Sequence, residues 1–138
     1  MASVDNFPAL ALGDCLDEKQ ASIHPFKCES GVTKGQIVIF DTNTVAELPS
    51  VSTAGAAAAN CLGMALKTGA AGEVIPIMTR GIGKVTASGG ITGGVHIVSG
   101  ASGVVVTVGA NTFEKVIGRA IQTFLTTDTG LAFINCEN

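Results

Sequence analysis

The chain has 138 residues, 46% of them hydrophobic and 14% charged, with a formal net charge of −3: enough for one packed core and short for two. With no basic block to neutralise phosphates, six Phe and neither Trp nor Tyr, the composition argues against nucleic acid as a partner. Thr, Ser, Gly or a charge breaks every apolar stretch well short of the ~20 residues of a spanning helix, which argues against a membrane.

Residues 1–25 stand apart from the rest. They carry Asp5, Asp14, Asp17, Glu18 and Lys19 and lack the Gly-rich alternation that follows, so they read as an arm or irregular lead-in. Asp14–Gln20 is long enough for one or two helical turns, and Pro8 and Pro25 favour extended backbone before them. The start has no positively charged stretch followed by a continuous apolar run, so no secretion signal is expected.

From Phe26 onward the pattern is β, and residues 26–138 read as a single barrel domain. Gln36–Phe40 is a strand of branched and aromatic residues. Asp41-Thr42-Asn43-Thr44 supplies turn chemistry before a second strand, Val45–Leu48, which Pro49 ends or places at an edge. The Ala54–Asn60 tract reads as a loop. Leu62–Lys67, Glu73–Thr79 and Ile82–Thr86 read as three strands, with Pro76 marking an edge or a bulge. Val95–Val98, Val104–Val108, Val116–Gln122 and Leu131–Asn135 complete the series. Strands every 8–12 residues between Gly-rich turns indicate an all-β fold, a compact small barrel or sandwich.

The two halves echo one another. Cys61-Leu62-Gly63-Met64-Ala65-Leu66 returns as Val116-Ile117-Gly118-Arg119-Ala120-Ile121, the glycines 55 residues apart. Gly35-Gln36-Ile37-Val38-Ile39 is matched by Gly94-Val95-His96-Ile97-Val98, and Gly72-Glu73-Val74-Ile75 by Gly130-Leu131-Ala132-Phe133. The fold class is therefore a barrel of two related halves, with Gly63 and Gly118 as bend positions inside strands. A short chain with so much apolar surface and so few charges is best covered by an oligomer interface.

Chemistry is sparse. Gly81-Ile82-Gly83-Lys84-Val85 falls short of a phosphate loop, with Met78 where the first Gly belongs and Val85 where the hydroxyl belongs. Asp41-Thr42-Asn43 opens like a calcium loop, but Ala46 replaces its Gly and Ser52 its terminal Glu. Cys15, Cys28, Cys61 and Cys136 have no metal-ligand spacing and read as buried free thiols. His24 and His96 lack a nucleophile pattern around them. Ser99 and Ser102 are near His96 in sequence, and an enzyme would need a cluster of the few ionisable residues, such as His96 with Asp128 and Glu114. No catalytic, cofactor-binding or metal-ligating residue is assigned, and an enzyme is not expected.

Gly31-Val32-Thr33-Lys34-Gly35-Gln36-Ile37-Val38, then Leu62-Gly63-Met64-Ala65-Leu66-Lys67-Thr68-Gly69-Ala70-Ala71-Gly72-Glu73-Val74-Ile75-Pro76-Ile77, resemble the capsid decoration (cement) proteins of tailed bacteriophages. The likeness is to their small β-barrel family, formerly labelled a domain of unknown function. Arg80-Gly81-Ile82-Gly83-Lys84-Val85 fits that family's third element and Ile117-Gly118-Arg119-Ala120-Ile121 its closing repeat; the resemblance spans about residues 26–138. It implies a virion structural protein made in the host cytoplasm. Such a protein sits on the outer capsid surface, as a homotrimer that bridges and stabilises neighbouring major capsid subunits, its partner being the major capsid protein. A head-fibre base, or a β module that contacts carbohydrate or host, is the alternative. Residues 1–25 and the Ala54–Asn60 loop are the expected places for specificity.

Overall fold

The computed structural model describes residues 11–16, 20–41, 49–109 and 115–136. Among them the chain is all-β. Its strands are β1 (Ser22–Cys28), β2 (Ile37–Phe40), β3 (Ser50–Thr53), β4 (Cys61–Ala65), β5 (Val74–Thr86), β6 (His96–Ser99), β7 (Val105–Thr107), β8 (Gly118–Ala120) and β9 (Thr129–Asn135). A 3-10 turn at Ala101–Gly103 joins β6 to β7.

The strands run in the order β1-β3-β2-β4-β5-β9-β8-β6-β7, and β5 also pairs with β1. The first five strands thus close a barrel. The long β5 belongs to both halves: Val74–Met78 lies between β1 and β4, and Arg80–Thr86 pairs with β9. The segments expected as two strands, Glu73–Thr79 and Ile82–Thr86, are one. Gly81 keeps the strand continuous at φ 147°, where an added Cβ would meet Ala21 Cβ and Met78 Sδ at 2.9 Å. The second half runs β5-β9-β8-β6-β7 and returns to the end of β5 through a parallel bridge, Ala87 to Val105. That bridge answers the parallel pairing of Cys28 with Val51 in the first half.

The repeat is accurate at the level of single hydrogen bonds. Val38 faces Gly63 as Ile97 faces Gly118, and Ala65 faces Ile77 as Ala120 faces Ala132. The Val32–Gly69 bridge answers Ile91–Phe124. Ala65 N donates to Gln36 O at 2.9 Å, and Ala120 N to Val95 O at 2.9 Å. Gly63 and Gly118 have a shared reason: an added Cβ would run into the carbonyl oxygen of the next strand, Met78 O or Phe133 O. Both glycines permit close backbone approach between strands.

One expected match is out of register. Gly72 corresponds to Thr127, not Gly130: both have positive φ, 90° and 58°. Cys28 N donates to Glu73 O at 2.7 Å as Ala87 N donates to Asp128 O at 2.9 Å. Gly130 instead occupies the place of Ile75, and its lack of a side chain seats the Phe124 ring, whose atoms lie 3.1–3.2 Å from where a Cβ would stand. In the first half the sizes are exchanged. Gly69 takes the place of Phe124, and Ile75 Cγ2 fills the space beside it, 2.6 Å from the position a Cβ would take.

Other boundaries moved for identifiable reasons. Val45–Leu48 lies outside the described residues. Pro49 precedes a strand rather than ending one: β3 starts at Ser50, and Pro49 O accepts from Lys27 N at 3.2 Å. Pro76 sits inside β5 directly opposite Pro25, at neither an edge nor a bulge. Its carbonyl accepts from Leu66 N at 3.1 Å, so its backbone polar face turns to β4; toward β1 it forms a non-hydrogen-bonded pair in which neither proline needs an N–H. Asp14–Leu16 is extended, not helical. Leu16 N donates to Ile82 O and Gly13 N to Lys84 O, both at 2.8 Å, laying the segment along β5; residues 17–19 lie outside the described ones.

Two buried clusters follow from the double barrel. Cys28, Val32, Val38, Val51, Leu62, Ala65, Ile75 and Ile77 fill the first half. The larger cluster holds Val85, Ile91, Ile97, Val105, Phe124 and Ile134 of the second half together with Ile37, Met64 and Met78 of the first. Those three side chains point out of the first barrel and into the second.

Candidate functional site

The residues with chemical potential are not brought together. His96 and Ser99 lie on opposite faces of β6, because their spacing is odd: His96 is exposed and Ser99 fully buried. The Ser99 hydroxyl is engaged, donating to Gly55 O at 2.8 Å and accepting from Ala58 N at 2.9 Å, while Ser99 O accepts from Ala57 N at 2.7 Å. Its role is to pin the Ala54–Asn60 loop. Ser102 stands at φ 59° in the 3-10 turn, and its carbonyl accepts from Gln36 Nε2 at 3.1 Å.

Asp128 is spent locally, Oδ1 accepting from Thr129 N at 2.9 Å. It precedes by five residues Phe133, the β9 residue that shares a cross-strand row with His96, a separation of about 16 Å along a strand. Glu114, the third member of the expected cluster, lies outside the described residues. The Gly81–Val85 segment is the middle of β5, paired to β9, so it forms no phosphate-cradling loop. Its Gly83 makes room for the Met64 methyl, 2.5 Å from where a Cβ would be. Of the calcium-like segment, 42–48 lie outside the described residues, and Ser52, its last position, lies in β3. His24 faces Ile77 in the β1–β5 pairing. Among the described residues no three His, Cys, Asp or Glu side chains are grouped to hold a metal ion.

All four cysteines are free, Cys28 buried and the others half-buried. Burial raises the Cys28 thiol pKa, and the Glu73 charge adds to the shift. Burial also raises that of Cys61, against a smaller lowering by a hydrogen bond with Ser99. These are packing thiols with little thiolate character. Asp14 is shifted the other way. Its hydrogen bond with Lys34, at 2.6 Å, is the main cause, and the bond it accepts from Ala11 N is the next.

What the surface does offer is a shallow groove of about 570 Å³ on the outer face of β6, β8 and β9. A cross-strand row forms it: His96 opposite Arg119, Arg119 opposite Phe133, Phe133 opposite Ile82. Gly94, Gly118 and Ala120 leave its floor shallow, and Ile121 and Phe133 line it while 46% and 41% exposed. Arg119 Nη2 lies 3.0 Å from His96 Nε2. A guanidinium can only donate, so Arg119 is the donor side of this contact. A second, smaller hollow on the far side of Phe133 is lined by Gln20, Arg80, Gly81 and Ile82. Among the described residues no carboxylate lines either one. The face is thus apolar with two arginines, on a chain of net charge −3. Sequence reasoning passed over this surface because it grouped His96 with Asp128 and Glu114, and Arg119 comes beside it only through the β6–β8 register.

No protein-family model and no curated protein sequence matches the chain. Among solved structures, the fold is similar to the N base of the head fiber gp8.5 of bacteriophage phi29, with a TM-score of 0.66 and 15% identity. The match covers 85% of this chain and 96% of that one.

Proposed function

We propose that this chain is a structural protein of a tailed-bacteriophage head that docks on the outer surface of the assembled shell and stabilises it by bridging neighbouring major capsid subunits. The observation that carries this reading is the fold likeness to a head-fiber base across nearly the whole of both chains. Two features agree with it. The described side chains form no catalytic constellation, and the duplicated barrel spends its sequence on a rigid scaffold with apolar grooves. A protein that binds the assembled shell and not its free subunits stabilises the shell by mass action. Docking as a homotrimer would strengthen each contact through effective concentration.

A second reading, the base of a head fiber, is favoured by the identity of the structural neighbour. In that role the same barrel anchors a projecting partner and need not strengthen the shell. The test is co-sedimentation of the purified protein with undecorated, mature capsids of the cognate phage. Saturable binding is expected, with a rise in the temperature at which the capsids release DNA. Saturable binding with no change in shell stability would select the fiber-base reading. No binding to the cognate capsid would overturn both.

A further inference from the structure

The repeat supplies its own template for a contact. In the first half, the row Ile37–Met64–Met78–Ile23 crosses β2, β4, β5 and β1. The equivalent row in the second half is His96–Arg119–Phe133–Ile82. Backbone position and pairing are the same; the fates differ. Ile37, Met64 and Met78 are each 0% exposed, covered by the second half, whereas Phe133 is 41% exposed and nothing in the chain covers its row among the described residues. The covering is done partly by the end of β6 and the turn after it. Gly103 N donates to Ala54 O at 3.0 Å, Gln36 Nε2 donates to Ser102 O, and the Ser99 hydroxyl donates to Gly55 O. Ser99 corresponds in the first half to Phe40, at the end of β2. Phe40 is 45% exposed and held edge-on against Phe26, with ring centroids 6.2 Å apart.

We infer that the exposed row of the second half is a self-association surface, which receives the Phe40 end of β2 from a second copy of this chain. The contact would continue between chains the packing already present between halves. It is heterologous, since the donor corner and the receiving row are different surfaces. The replacements along the row fit that role: a face buried only after association can keep polar groups that solvate the free chain, and Arg and Phe are residues that interface cores favour. Self-contact follows from the repeat geometry whether or not the chain sits on a capsid.

The experiment is light scattering on the size-separated full chain, with Phe133→Asp, Arg119→Glu and Phe40→Asp beside the unsubstituted protein. Leu125→Asp, at an exposed apolar residue away from the row, is the control. The unsubstituted chain and the control should have at least twice the chain mass at micromolar concentration. Each of the three row or corner variants should fall to the monomer with an unchanged circular-dichroism spectrum. Arg119→Glu alters an exposed side chain, so it answers even if Phe133→Asp fails to fold. Mixing Phe133→Asp with Phe40→Asp should restore a dimer and nothing larger, because each variant keeps the surface the other lacks. A monomeric unsubstituted chain would overturn the inference, and so would association that survives Arg119→Glu and Phe133→Asp. Loss of capsid binding by variants of a chain that is monomeric throughout would assign the row to the capsid instead.

Discussion

The exchanged sizes at Gly69/Ile75 and Phe124/Gly130 make a sharp test of the internal duplication. Replacing Phe124 with Gly empties a site that is 2% exposed. Removal of a buried Phe costs about 3–5 kcal/mol, and an unsupported glycine in a sheet-pairing position adds about 1 kcal/mol. Replacing Gly130 with Ile pushes a branched side chain into the Phe124 ring, which already lies 3.1–3.2 Å from the Cβ position, and overpacking of that kind costs about 1–3 kcal/mol. Added independently, the two changes total about 5–9 kcal/mol, most of the 5–15 kcal/mol a domain typically holds. The double variant, however, rebuilds in the second half the arrangement that the first half already uses. We expect it to be less destabilised than the sum by at least about 2 kcal/mol, within the usual range for residues in contact. Urea unfolding of the four proteins, with free energies extrapolated at matched slopes, gives that coupling directly. Additive losses would show that the two halves do not share a packing scheme at this position.

Three further outcomes follow from named contacts. Ser99→Ala leaves Gly55 O and Ala58 N without their shared hydroxyl, so a loss of about 1–3 kcal/mol is expected, with faster amide exchange confined to the Ala54–Asn60 loop; exchange unchanged there would refute the pinning role. The folded-state pKa of Asp14 lies below its unfolded value, so its pairing with Lys34 contributes above the ordinary Asp range and is lost as pH falls through the lowered folded value. Both groups are about one-third exposed, so the Asp14→Asn variant should lose well under about 1 kcal/mol at neutral pH and show a flatter acid limb in thermal melts; an acid limb identical to that of the unsubstituted protein would count against the pairing. Cys28, buried and with a raised pKa, should react with a thiol reagent at neutral pH only as fast as the protein opens. Immediate labelling of Cys28, read by mass spectrometry, would contradict its burial.

The sequence carried much of this architecture, because glycine and β-branched residues act locally. The β2, β4, β6 and β7 segments and the relation of Gly63 to Gly118 are visible as alternation and turn chemistry. Three features were not, each for a non-local reason. The continuity of β5 through Arg80-Gly81 depends on partners on both sides of the strand, which a turn-like Gly cannot reveal. Pro76 looks like a strand breaker until Pro25 is found opposite it. The shift from Gly130 to Thr127 as the partner of Gly72 is hidden because identical residue types serve different ends: one permits positive φ, the other makes room for a ring. The groove was legible only in part, since His96 and Arg119 are 23 residues apart and meet only through the β6–β8 register.

The shared strand explains why this duplication yields a scaffold and not two domains. Two barrels joined by a linker could move and unfold separately. Here the backbone of β5 pairs with β1 and β4 at one end and β9 at the other, and Met64 and Met78 leave the first barrel to complete the core of the second. Opening either half therefore unpairs a strand and uncovers core in the other, which couples the two into one cooperative unit. A single rigid body places its outer faces at fixed distances and angles, the property needed to bridge subunits of a shell or to hold a projecting fiber. Because the second half repeats the first, it also repeats the face that the first half buries. The fold thus generates a copy of an internal interface that no described residue covers, with His96 and Arg119 standing where the first half has Ile37 and Met64.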